Sequence, residues 1–190
     1  GWGFNVPSVE LVAAYENGDL RKKTTILTSG GPDIYGSAGY TLPSVPTIAQ
    51  QYWNGKAYTY PAERIQYAQN KNHWENIKII RYADVVLMAA EAANELGQSG
   101  KAANYVNMIR NRAGLANTTA ADQVTLRAAI KQERRIEFAM EFERFYDLVR
   151  WGDAPAVLGA KGYTDKNKYF PIPQEAIDKS QGVLVQNPNY

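Results

Sequence analysis

The side chains in this sequence best suited to chemistry are aromatic. Tyr35, Tyr40, Tyr52, Trp53, Tyr58, Tyr60, Tyr67 and Trp74 are interleaved with Asn54, Lys56, Gln66, Asn70, Asn72 and His73. A flat ring on a loop meets the apolar C–H face of a sugar, while amide and charged groups reach its hydroxyl edges, a combination typical of concave small-molecule sites. That is recognition without bond making. The competing use of the same rings is a satellite core under a long loop, since Tyr and Trp bury large areas and need one polar partner each. Trp53 leads the candidates because Trp53-Asn54-Gly55-Lys56 sets a large ring beside an amide, a flexible backbone and a cation. Trp74 follows, although its place just before a helix also suits a packing staple. Tyr35, Tyr52, Tyr58 and Asn54 complete the expected ligand-binding set. His73 reads as a surface or hydrogen-bonded residue, since no Ser or Cys motif accompanies it, and Trp151 reads as core.

A second concentration of polar chemistry lies in residues 127–152, RAAIKQERRIEFAMEFERFYDLVRWG. Glycoside hydrolysis needs two carboxyl groups facing across a cleft, whereas Glu133, Glu137, Glu141 and Glu143 follow one another along one helical pattern. Their arginine neighbours lower carboxyl pKa values, the wrong direction for a general acid. A single histidine argues against most hydrolytic zinc sites, the absence of cysteine removes thiol chemistry, and no phosphate-binding or calcium-binding loop occurs. The expectation is therefore a protein that is not an enzyme, with no catalytic residue, metal or cofactor.

These groups need elements to hold them. The 190 residues suffice for one sizeable core, and 45% hydrophobic with 21% charged content is ordinary for a globular chain. A net charge of +2 nominates neither nucleic acid nor a membrane surface as partner. No stretch approaches the ~20 apolar residues that span a bilayer, and the first residues carry no secretory-signal pattern. Ser8 caps a short helix that turns Leu11, Val12 and Tyr15 inward. Glycines and prolines then leave residues 28–61 irregular. Helical spacing returns at Tyr82, Val85, Val86, Ala89, Ala93 and Leu96, and again at Ala102, Val106, Ile109 and Ala113, with Ser99 as the intervening cap. Two such helices read as an antiparallel hairpin. Residues 127–152 read as a third, long helix with two apolar stripes, Leu126 to Met140 and Phe138 to Val149. A helix apolar on two sides leaves little face for water, so some of its charges are expected to be buried and paired. Beyond Trp151 the chain reads as extended, with a small helix at residues 174–179.

The residues 127–152 resemble the C-terminal signature of the SusD/RagB family, surface lipoproteins that bind nutrients beside an outer-membrane transporter. RYADVVLMAAEAANELG, NMIRNRAGL, KYFPIP and QNPNY follow the family's order of motifs, and residues 1–27 are similar to the start of its C-terminal half. Asn189 stands where the family more often has Gly. The resemblance implies a mainly α fold, an α-α superhelix with one tetratricopeptide-like hairpin and a long helix. It implies one C-terminal domain over residues 1–190: 1–80 mostly irregular, 81–152 a helical core and 153–190 a wrapping tail. The family's N-terminal half, with its signal and lipid-modified cysteine, is expected to be missing. It also implies a non-catalytic glycan receptor at the cell surface, lipid-anchored to the outer membrane, passing ligand to a SusC-like TonB-dependent transporter. A RagB-like peptide receptor and a helical protein-interaction scaffold are the alternatives. The family's ligand residues lie in loops without a fixed motif, so no role transfers to Trp53 or its neighbours.

Overall fold

The computed structural model describes residues 4–36, 41–45, 50–66 and 76–190; Tyr40, Tyr67, Asn70, Asn72, His73 and Trp74 lie outside them. The fold is mainly α. Helices α1 (Val9–Ala13) and α2 (Lys22–Thr25) lead into strand β1 (Ile26–Thr28), which pairs with β2 (Tyr52–Asn54); α3 is Pro61–Gln66. Three longer helices follow: α4 (Tyr82–Glu95), α5 (Ser99–Arg112) and α6 (Gln123–Glu137).

Local chemistry sets where these helices begin and end. Asp122 accepts hydrogen bonds from the Val124 and Thr125 N–H groups at 2.9 Å and forms a capping box with Thr125, starting α6. Ser8 accepts from the Leu11 N–H at the head of α1, as its sequence position predicts. Ser99 does not cap α5; it is already the first helical residue, preceded by Gln98. The hairpin turn is instead closed from the α4 side, where the Gln98 N–H reaches the Ala93 carbonyl at 2.8 Å.

The core is a stack of layers between α4, α5 and α6. Ala93, Ala102 and Leu126 make one layer, and Ala90, Val106 and Ile130 the next. Ala83, Val86, Leu87, Ile109 and Phe138 make the last. Alanines at four of these positions let the helix axes approach closely, which shows why the pattern is so poor in large residues. The α5 stripe is as expected. The α4 stripe holds at Val86 and Ala93 but is otherwise rotated: Leu87, Ala90 and Asn94 are buried, while Tyr82, Val85 and Leu96 are exposed.

The expected long helix is two helices. After Glu137 the chain leaves helical geometry, Met140 and Phe142 take left-handed φ of 68° and 72°, and α7 (Arg144–Trp151) restarts. Gly152, at φ 75°, ends α7 with the Asp153 N–H on the Leu148 carbonyl. The two apolar stripes are thus not two faces of one rod. Phe138 of the second stripe joins the core of the compact unit Gly1–Phe142, whereas Phe145, Tyr146 and Val149 belong to another, Glu143–Tyr190. Phe142 and Tyr146, placed inward by the periodicity, are exposed.

The second unit is less extended than its prolines suggest. It contains α7, α8 (Ala154–Leu158), 3-10 turns at Gly159–Lys161 and Asp165–Lys168, and α9 (Gln174–Lys179). The Gln186 side chain accepts from the Ile172 N–H and donates to the Ile172 carbonyl, and the Asn187 amide donates to the Phe170 carbonyl. The KYFPIP and QNPNY segments are therefore halves of one hydrogen-bonded turn.

Candidate functional site

The aromatic candidates are organised by the β1–β2 ribbon. Its register pairs Ile26 with Asn54, Leu27 with Trp53 and Thr28 with Tyr52. Three-residue strands leave no readable alternation in the sequence, but their β-branched and aromatic residues suit a pleated surface. Gly55 follows at once because a Cβ there would run into the Thr24 carbonyl. This glycine serves close approach of backbone, not the flexibility expected of it.

Each expected site residue now has a place. The Trp53 indole N–H donates to Ser29 Oγ at 3.0 Å and to the Gln50 carbonyl at 3.1 Å, which locks a half-buried ring. Tyr52 packs on the cluster of Tyr15, Ile26 and Ile136. Asn54 Oδ1 accepts the Lys56 N–H and caps the 3-10 turn Gly55–Ala57. Tyr35 stacks on Tyr58 with ring centroids 6.1 Å apart and donates its hydroxyl to the Tyr58 carbonyl at 3.2 Å. Tyr60, not in the expected set, meets the Tyr35 ring edge-on at 5.3 Å. The alternation Tyr58-Thr59-Tyr60 was its available signal, since an extended backbone puts both rings on one side. Tyr35 and Tyr60 are 48% and 38% exposed, which leaves ring surface for a ligand. A cavity of about 630 Å³ runs along β1 and the following turn, lined by Leu20, Ile26, Leu27, Pro32 and Ile34, the residue before Tyr35.

The cation of the Trp53–Lys56 quartet has a structural task. Lys56 Nζ donates to the Glu137 carbonyl at 2.7 Å and to Glu141 Oε1 at 2.5 Å. Arg81 also donates to the Glu137 carbonyl, at 3.1 Å, so two cations meet the negative end of α6. Below them lies a network centred on buried Glu133 and Glu137. Arg21 reaches Glu133 at 2.5 Å and Glu137 at 3.1 Å; Arg81 and Arg112 also bind Glu137, and Arg110 spans Glu16 and Glu133. Arg134 pairs with Asp84 at 2.7 Å, and its guanidinium and that of Arg81 lie over the Phe138 ring at 4.9 and 5.0 Å. The expected burial and pairing of these charges holds, with partners contributed across the tertiary fold.

The network's electrostatics differ from the sequence expectation at one residue. Burial works against the Glu137 charge, but Arg112, Arg21 and Arg81 outweigh it and hold its carboxyl below the usual range. At Glu133 burial wins over Arg21 and Arg110, and the carboxyl is pushed up. Arginine neighbours alone therefore do not set the direction. Burial lowers the Lys56 pKa against the pull of Glu141. The geometry is that of a clamp: it fastens the segment before β1, through Arg21, and the turn after β2, through Lys56, to one helix. Among the described residues no cluster of His, Cys, Asp and Glu could hold a metal ion, and no helix is long and apolar enough to cross a membrane.

The chain is a mainly helical fold with a short aromatic ribbon, and comparison places it in a family. The SusD family profile matches residues 5–190, and the chain belongs to that family. SusD-like protein P2 of Formosa agariphila is 29% identical over all of this chain and 41% of its own length. A laminarin-binding SusD-like protein of known structure is 34% identical and superposes with a TM-score of 0.73 over all of this chain and 39% of its own. Surface glycan-binding protein A of Bacteroides thetaiotaomicron is 28% identical with a TM-score of 0.70, over 96% of this chain and 41% of its own. The chain thus spans about two fifths of the length of these relatives.

Proposed function

We propose that this chain contributes to a non-catalytic glycan receptor of the bacterial cell surface, which takes up polysaccharide or oligosaccharide and passes it to a SusC-like TonB-dependent outer-membrane transporter. The observation that carries the reading is the Tyr35–Tyr58–Tyr60 cluster, with two rings open to solvent and all three fixed beside the ribbon. Stacking of a sugar face on rings already held in place costs little conformational entropy. Trp53 extends this surface, Tyr52 and Asn54 hold it, and Trp74 remains in the proposed contact set. The similarity to a laminarin-binding protein and a surface glycan-binding protein supports the ligand class. Anchoring at the outer membrane would come through a lipid-modified N-terminal part, as the family resemblance implies.

A second reading has its own observation. Tyr82, Val85, Met88 and Leu96 form an exposed apolar stripe on α4, which suits a protein contact and supports the scaffold alternative. The two readings separate in one experiment: binding of the protein to a panel of neutral polysaccharides and peptides, repeated with Trp53→Ala and with Tyr35→Ala/Tyr60→Ala. Glycan binding that falls about tenfold or more in the tyrosine variant is expected. Binding of peptides without any glycan overturns the receptor for sugars, and glycan affinity unchanged in both variants overturns the site.

A further inference from the structure

The second unit holds its own cavity, of about 300 Å³, unused by the site above. Its walls include Phe145, Tyr163, Phe170 and Tyr190, with Lys161 and Asn167 also lining it. That volume lies at the lower end for small-ligand pockets and fits about one sugar ring. The rings are fixed by the folded tail: Phe145 and Tyr163 lie 6.3 Å apart, and the Tyr190 hydroxyl donates to the Tyr169 carbonyl at 2.9 Å. The surroundings are cationic. Lys166 and Lys168 sit over the Tyr190 and Tyr169 rings at 5.4 and 5.7 Å. Against Lys161, Lys166 and Lys168 stands the single acid Asp165 in residues 161–168. Among the described residues, none of these three ammonium groups is engaged by a carboxylate. An aromatic wall alone would suit any sugar, but the Lys161 ammonium group in the lining, with Lys166 and Lys168 over two of the lining rings, favours one that carries an anion.

We propose that this cavity is a second carbohydrate subsite that takes one anionic sugar unit, a uronate or a sugar sulfate, with its ring against Tyr163 and Phe170 and its charged group toward Lys161. The inference rests on the receptor reading of the chain, but not on the Tyr35 cluster.

The test is calorimetric titration of the protein with an oligogalacturonate, a sulfated galactan oligosaccharide and a neutral β-glucan oligosaccharide. It is run on the unaltered chain, on Lys161→Glu, on Phe170→Ala and on Tyr35→Ala/Tyr60→Ala. Lys161 and Phe170 are exposed, so neither variant removes core. At least one anionic oligosaccharide should bind, more weakly as salt rises, and both Lys161→Glu and Phe170→Ala should weaken it about tenfold or more. Neither should alter the neutral glucan, and the tyrosine variant should do the reverse. The subsite is overturned if neither anionic oligosaccharide binds, if salt has no effect, or if either single variant leaves anionic binding intact or weakens both ligand classes alike. Absence of binding to all three oligosaccharides, by contrast, would count against the receptor reading itself.

Discussion

The Lys56 ammonium group lies 2.7 Å from the Glu137 carbonyl oxygen, joining the turn after the aromatic ribbon to the last turn of α6. The bond satisfies a carbonyl that has no partner within its own helix and sets a positive charge at the negative end of the dipole. Lys56→Met keeps most of the apolar stem and removes both this bond and the ion pair with Glu141. The variant should lose about 1 to 3 kcal/mol of stability. Urea unfolding followed by fluorescence or circular dichroism reads the loss, and an unchanged midpoint would show that the ribbon is held elsewhere.

Gly55 and Gly100 make opposite predictions for the same added methyl group. At Gly55 the new Cβ would meet the Thr24 carbonyl, part of the backbone leading into β1, so the strands must part. Gly55→Ala should cost about 1 to 3 kcal/mol, the range for overpacking a site that cannot relax. In the first turn of α5, by contrast, a Cβ on Gly100 meets nothing within 4 Å, and Gly100→Ala should be neutral or stabilising. Thermal melts of the two variants side by side test the pair.

Glu133 and Glu137 should respond differently to acid. The Glu137 pKa is depressed in the folded chain, so its stabilising contribution is full above the ordinary carboxylate pKa and is lost as pH falls through the depressed folded value. The Glu133 pKa is raised, so its favourable contribution is full below the ordinary carboxylate pKa and is lost as pH rises through the raised folded value. Glu137→Gln should therefore destabilise at neutral pH by about 3 kcal/mol or more, since three arginines lose a buried counter-charge. It should also flatten the fall in stability below about pH 4. Glu133→Gln should cost less at neutral pH. Urea midpoints measured across this range would contradict the assignment if the two variants behaved alike.

Much of the helical frame was legible because helical periodicity and caps are local. Ser8, the α5 stripe and the small helix Gln174–Lys179 could be read directly. The break after Glu137 could not, since Met140 and Phe142 are residues that disfavour left-handed backbone and nothing in their type announces it. The α4 stripe was misread by one residue because alanines line both of its faces. Of the site, the residue types were legible and the pairings were not. Tyr35 meets Tyr58 and Tyr60 from 23 and 25 positions away, a contact made by chain reversal rather than by spacing.

By itself the sequence determined the family, the helical elements and the supply of aromatic rings, all of which depend on residue types and short-range order. Only the tertiary structure decided how those residues are used. It turned Lys56 from a ligand cation into a clamp, Asn54 into a cap and Gly55 into a point of backbone contact. It also split one apparent helix between two units. The physical reason is that a residue's role is set by the partner that removes it from water, and for Lys56 and Gly55 those partners, Glu137 and Thr24, lie tens of residues away.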